Sequence, residues 1–293
     1  MINNHNPNNT VNFILKNLIS NAILQASLDF VPTLPLAHIA NRQPELIAMS
    51  ISNADMQLTI SLPDPRRLSQ DGVALFGDFS PLAQLQITCM STAMGNGAVV
   101  YRSKVHSLLP TNALVAGELY HLPATFFYQR FSAEQSANYQ SIVLELHDPA
   151  PLNDDHAHVF YRAVIGEVFV PTIGPVINKP PQGILQDLTQ QERTTLIDTR
   201  ALPQGRQQRF SVPLNYVTEA EKAWLIQTCA QVGIHGDGFI HLAPEVTGLA
   251  HQLLGMNCYL ESVPAFTGQA YDQNQTQLSV YNALPHIAHI VQV

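Results

Sequence analysis

Positive charge is scarce in this chain. Its 293 residues include four lysines (Lys16, Lys104, Lys179, Lys222), and 14 Lys plus Arg stand against 22 Asp plus Glu, a formal charge of -8. A protein that grips nucleic acid by neutralising phosphates needs a basic stripe, and none can be assembled here, so nucleic acid is not an expected partner. Charge of either sign is thin, at 12% of residues, about half the usual ~25%. Cysteine is nearly absent too. Cys89, Cys229 and Cys258 are far apart and form no C-x-x-C pair, which predicts free buried thiols rather than a disulfide framework. No apolar run reaches about 18 residues, so no membrane span is expected. The opening stretch, MINNHNPNNTVN, has six asparagines and no basic segment. That predicts a flexible arm without a signal peptide, on a protein made in the cytoplasm.

Amides supply the missing polarity: 24 Gln and 19 Asn outnumber the 36 charged residues, while 46% of the chain is hydrophobic. That apolar content excludes a disordered acidic chain. The length fits two domains or one large β domain, enough to bury a core without staples.

Along the chain, Leu15, Leu18, Ile19, Ala22 and Ala26 fall at helical spacing, predicting a short amphipathic helix within 13–30 that ends before Pro32 and Pro35. From about residue 45 the period becomes two. Segments 46–51, 56–62, 73–76, 83–89, 98–102 and 140–146 read as short strands. Pro63-Asp64-Pro65 and Gly95-Asn96-Gly97 read as turns between them. The apolar block 159–170 reads as a further strand. Many short strands with Gly, Pro and Asn punctuation indicate an antiparallel sandwich over 31–172. The proline-rich stretch 174–183 marks a boundary, and 173–293 reads as a smaller β-rich α+β domain. There, 208–214 is a strand whose Pro213 suggests an edge. Thr218-Glu219-Ala220-Glu221 is a capping box opening a helix that runs to about Val232 and stops at Gly233. Segments 239–244, 256–260, 277–284 and 289–293 complete the strands.

Twelve histidines raise the question of metal. The densest cluster is His147-Asp148 followed by Asp154, Asp155, His156 and His158, where a His-x-His on a strand places both rings on one face near carboxylates. His147, Asp148, His156 and His158 are therefore the metal candidates, against the simpler reading of a solvated loop. His235 and His241 flank Gly236-Asp237-Gly238, which resembles a hairpin turn. His286 and His289 sit three apart near the end of the chain. No H-E-x-x-H, G-x-S-x-G or P-loop pattern occurs, so catalytic residues are assigned to none and no cofactor is expected. The aromatic run Phe126-Phe127-Tyr128, with Tyr120 and Phe131 nearby, fits either a sugar-stacking shelf or a buried strand.

Several collinear blocks carry a resemblance. They are LFGDFSPLAQLQIT at 75–88 with Asp78-Phe79-Ser80 at its turn, VVYRSKVHSLLP at 99–110, and IVLELHDP at 142–149 followed by Val164-Ile165-Gly166-Glu167. An Asp and Arg-Thr segment at 186–194 and the 206–214 strand precede the Thr-Glu-Ala-Glu helix start. Their order resembles one class of tail-tip (baseplate) structural proteins of long-tailed bacteriophages. The resemblance implies a galactose-binding-like sandwich and a noncatalytic virion component that assembles in rings with itself and other tail proteins. It also implies a location in the virion tail. The first expectation is thus a virion tail-tip structural protein, with the 1–30 arm and helix reaching a neighbour. The alternative is a carbohydrate-binding β-sandwich module, motivated by the sandwich, the Phe126–Tyr128 run and amide-rich loops at Asn138 and Asn153; a host surface glycan would be its partner. A second alternative is a metal-dependent enzyme using His147, Asp148, His156 and His158.

Overall fold

The computed structural model describes residues 11–41, 46–108, 125–131, 136–151, 157–172, 182–187, 190–193, 199–202, 206–234, 236–270 and 273–282. The described chain is mainly β. Its strands are β1 (Asn12–Ile14), β2 (Ile23–Ala26), β3 (Ala48–Met49), β4 (Met56–Arg67), β5 (Asp71–Gly77), β6 (Gln84–Met90), β7 (Val99–Arg102), β8 (His106–Ser107), β9 (Thr125–Arg130), β10 (Asn138–His147) and β11 (Val159–Phe169). They continue with β12 (Gln182–Asp187), β13 (Gln190–Arg193), β14 (Thr199–Leu202) and β15 (Arg206–Val217). After α1 (Glu219–Val232) come β16 (Asp237–His241), α2 (Leu249–Leu254), β17 (Gly255–Leu260), β18 (Thr267–Ala270) and β19 (Gln273–Asn282).

Two antiparallel sheets form the sandwich. A six-stranded sheet has the order β2-β4-β10-β6-β7, with β8 on β6; an 11-stranded sheet runs β12-β15-β19-β17-β16-β1-β11-β5-β9, with β3 on β11 and β18 on β19. Strict alternation in the smaller sheet turns Leu58, Ile60, Ile87, Ile142 and Leu144 inward. They meet Val73, Leu75, Phe127, Ala163 and Ile165 from the β11-β5-β9 end of the larger one. A second core lies under the other end, where Phe210, Val212, Leu214, Leu278 and Val280 pack with Leu225 and Cys229 of α1. A third fills the opposite face of the large sheet, around Ile14, Phe76, Phe126, Val164 and Phe239.

The sheet does not break at 172–173; β11 and β16 are joined through β1. This corrects the helix expected within 13–30. Asn12, Phe13 and Ile14 are a buried central strand, and 23–26 is another strand. Phe13 and Leu15 enter one core while Ile14 enters another, so the period there is two. Asn17 then diverts the backbone: its Oδ1 accepts the Ile19 and Ile165 N–H groups at 3.1 and 3.0 Å, and its Nδ2 donates to the Ala163 carbonyl at 2.9 Å. A side chain that captures backbone groups this way competes with helix. Residues 1–10 lie outside the described residues.

Two proline readings also change. Pro63-Asp64-Pro65 is no turn; it lies inside β4, opposite an irregularity in β10 between Tyr139 and Ser141. The Gln140 amide compensates the interrupted ladder by donating to the Leu62 and Pro63 carbonyls at 3.4 and 3.2 Å. Pro213 lies in β15, which has a neighbour on each side, but its ladder with β12 ends at Ser211. Proline therefore costs no bond there. The capping box forms as the sequence indicates: Thr218 Oγ1 accepts the Glu221 N–H at 3.2 Å and Glu221 Oε2 accepts the Thr218 N–H at 2.8 Å. All three thiols are free and buried, and burial raises their pKa.

Candidate functional site

The histidine–aspartate cluster is dispersed among structural tasks. Asp148 is buried, and its carboxylate accepts the Ser80 N–H at 2.9 Å and the Ser80 hydroxyl at 2.5 Å, tying the β5–β6 turn to the end of β10. His147 is exposed and faces Asp55 at 2.5 Å. His158 is buried with Nε2 bound to the Ala54 carbonyl at 2.9 Å. His156, His235, His286 and His289 lie outside the described residues. Among the described residues, no group of three or more His, Cys, Asp or Glu side chains is arranged to hold a metal ion. The Gly236-Asp237-Gly238 stretch, expected as a hairpin turn, opens strand β16 instead.

The aromatic run is not a surface shelf. It forms β9, whose alternation sends Phe127 into the sandwich core and Phe126 and Tyr128 to the opposite face, where Phe239 meets both at 5.5 and 4.7 Å between ring centroids. Phe131 is buried and touches Tyr101 and Tyr139. Tyr120 lies outside the described residues.

The solvent-accessible aromatic pair is elsewhere. On β17, Met256, Cys258 and Leu260 point into the core, so Asn257 and Tyr259 point away from it; on β19, Leu278 and Val280 point in and Gln277, Ser279 and Tyr281 point out. Register then places Arg209, Tyr281, Tyr259 and Asp237 in one row across four strands. The tyrosine rings are half-buried, 5.7 Å apart between centroids and inclined by 57°. At one end of the row Arg209 pairs with Glu261 at 3.1 Å, both well exposed. Beside it, the exposed Gln277 amide donates to the Ser211 hydroxyl at 2.6 Å.

At the other end the row runs into a buried polar floor. Arg162 Nε donates to Asp237 Oδ2 at 2.7 Å and its Nη2 donates to the same oxygen; Asn257 and Asn17 each donate to this carboxylate at 2.6 Å. The Arg162 Nη1 group is buried with no partner among the described residues. A buried carboxylate with this many donors is fully committed and serves as a rigid support. Tyr259 and Tyr281 were present in the predicted strands but not singled out. The signal was the alternation itself: tyrosine, asparagine and serine interleave with core residues on β17 and β19.

A second polar cluster lies on the same face beyond Phe239. His241 and His251 face each other with centroids 4.3 Å apart, against the rings of Phe126 and Tyr128. Burial, and then the charge His251 would carry, holds His241 down at about 3. The Phe126 and His241 rings can approach this closely to β17 because residue 255 is glycine: a Cβ there would collide with Phe126.

No family model matches the chain, and no curated protein matches it. Solved structures of similar architecture include the family 32 carbohydrate-binding module of C. perfringens NanJ in complex with galactose, at 9% identity, covering 51% of this chain and 98% of that one, with a TM-score of 0.36. A chitosan-binding module from the chitosanase/glucanase of Paenibacillus sp. IK-5, in complex with chitotriose, matches at 10% identity over 51% of this chain and 99% of that one, with a TM-score of 0.37. Reduced XRCC1 bound to the DNA pol beta catalytic domain matches at 10% identity, over 52% of this chain and 98% of that one, with a TM-score of 0.37. At these values the likeness concerns architecture alone. The expectation of a virion tail-tip structural protein is corrected here: no family model or curated protein matches the chain, and none of the solved structures named above is a phage tail protein.

Proposed function

We propose that this protein is a noncatalytic carbohydrate-binding β-sandwich protein whose ligand seat is the outward face of β15, β19 and β17. The observation that carries this reading is the Tyr259–Tyr281 pair, held side by side by strand register and bordered by Arg209, Glu261, Gln277 and Ser211. Sugar rings present an apolar C–H face and a rim of hydroxyls. A tyrosine ring offers the matching flat surface with a polar tip, and few rotamers are lost on binding. Guanidinium and amide N–H groups donate to hydroxyl oxygens, while carboxylate and amide oxygens accept from them. The row combines these types within a few strands, and the Arg162–Asp237 floor fixes its inner end. The 57° inclination suits a short chain or a terminal sugar that touches two planes, rather than a flat polysaccharide surface.

The test is an array of neutral and acidic glycans probed with folded full-length protein. Reproducible binding to a related set of structures is the expected result; a blank array with correctly folded protein removes the proposal.

A further inference from the structure

Among the described residues β9 ends the large sheet, and one row of its backbone groups has no described strand beside it. Gln252 of α2 fills part of that gap: its Oε1 accepts the Phe126 N–H and its Nε2 donates to the Phe126 carbonyl, both at 2.9 Å. A side-chain amide thus stands in for the missing strand, one way of covering an edge that would otherwise template pairing.

Beside this bracket and the Leu242 N–H bond to the Leu254 carbonyl, α2 meets the sheet through two imidazoles in neutral forms. His241 Nδ1 accepts the Ala243 N–H at 3.2 Å, so its own proton sits on Nε2, which is buried without a partner among the described residues. His251 Nδ1 faces the Val246 carbonyl at 3.1 Å, so that nitrogen carries the proton and donates. A second proton on His241 would point an N–H at the Ala243 N–H and set a charge beside the His251 ring. We propose that the His241–His251 contact is an acid-released latch: protonation of the pair unseats α2 and the Gln252 bracket, baring the edge of β9.

On both rings burial is the largest influence and opposes charge, against a weaker backbone contact that favours it. His106 of β8 adds to the disfavouring of charge on His251, Tyr128 of β9 stacks on His241 with Arg130 beyond it, and Asn12 of β1 lies opposite His241 in register. Glu245, exposed on the turn between β16 and α2, is the acidic side chain of that connection. Burial lowers His251 as well as His241. In the open state each ring returns towards its ordinary value of about 6.5. Below that pH the open state binds more protons, so docking is complete above about 6.5 and weakens as the pH falls towards 3. At pH 5.0 His241 alone shifts the balance about thirty-fold towards opening.

Hydrogen exchange of the full chain at pH 7.5 and 5.0, corrected for intrinsic rates, tests the latch. Amides of 125–130 and 249–254 should lose at least ten-fold protection at pH 5.0, while those of β4 and β10 keep theirs. His251→Leu and, separately, His241→Gln should each cut that response at least three-fold; Gln252→Ala should expose Phe126 at both pH values. Should His241→Gln not fold, His251→Leu decides. Equal protection at both pH values overturns the latch, as does an undiminished response in the folded histidine variants. So does a loss spread evenly into β4 and β10, which would mean general acid unfolding.

Discussion

The molecule has two sets of aromatic side chains that differ in how they reach their places. Phe126, Phe127 and Tyr128 are contiguous, and contiguity on a strand sends neighbours to opposite faces. Both faces of β9 are covered, one by the six-stranded sheet and one by Phe239 and the His241–His251 pair. Tyr259 and Tyr281 are 22 positions apart in the chain yet stand side by side, because β17 and β19 pair them directly, and both rings stay half-buried on that face. A run of aromatics is therefore a poor sign of a binding shelf, and an alternating strand with one aromatic on its polar side is a better one.

The sharpest break of this comparison is Phe127→Ala, which empties a core position and should cost about 3–5 kcal/mol in denaturant unfolding. Asp237→Ala should cost a similar ~3–5 kcal/mol because it leaves Arg162 buried and unpaired; replacing Arg162 and Asp237 together by apolar residues should cost less than Asp237→Ala alone. Thr218→Ala removes the cap of α1 on the opposite face of the sheet and should lower stability by about 1 kcal/mol without changing glycan binding. Tyr281→Ala should move stability by under about 1 kcal/mol, as half-buried surface positions do, yet weaken glycan binding at least ten-fold. The smallest effect belongs to His147→Ala. This exposed side chain should leave the unfolding midpoint within error, and elemental content should be the same in both proteins.

Much of the fold was legible because it follows from local rules. Alternation located most of the strands from 46 to 170, and a Thr-x-x-Glu spacing located the α1 start to the residue. The failures have a common origin in tertiary partners. The helical spacing of Leu15 to Ala26 was overridden when Asn17 bound backbone from β11, about 150 positions away. Pro63 to Pro65 stayed extended because Gln140 offered a side-chain substitute for ladder bonds. Asp148 and His158, close in sequence, were drawn to Ser80 and Ala54 and so never shared a ligand. The tyrosine row needed the register of four strands, β15, β19, β17 and β16, which alternation alone does not supply.

The central claim is that Tyr259 and Tyr281 form the glycan seat, and the direct measurement is calorimetric titration of the strongest array ligand into wild type and into the Tyr259→Ala, Tyr281→Ala double variant. Measurable binding by the wild type that disappears in a double variant with an unchanged unfolding midpoint is the predicted result. Equal affinity in the two proteins would contradict the account and move the seat to another face of the molecule.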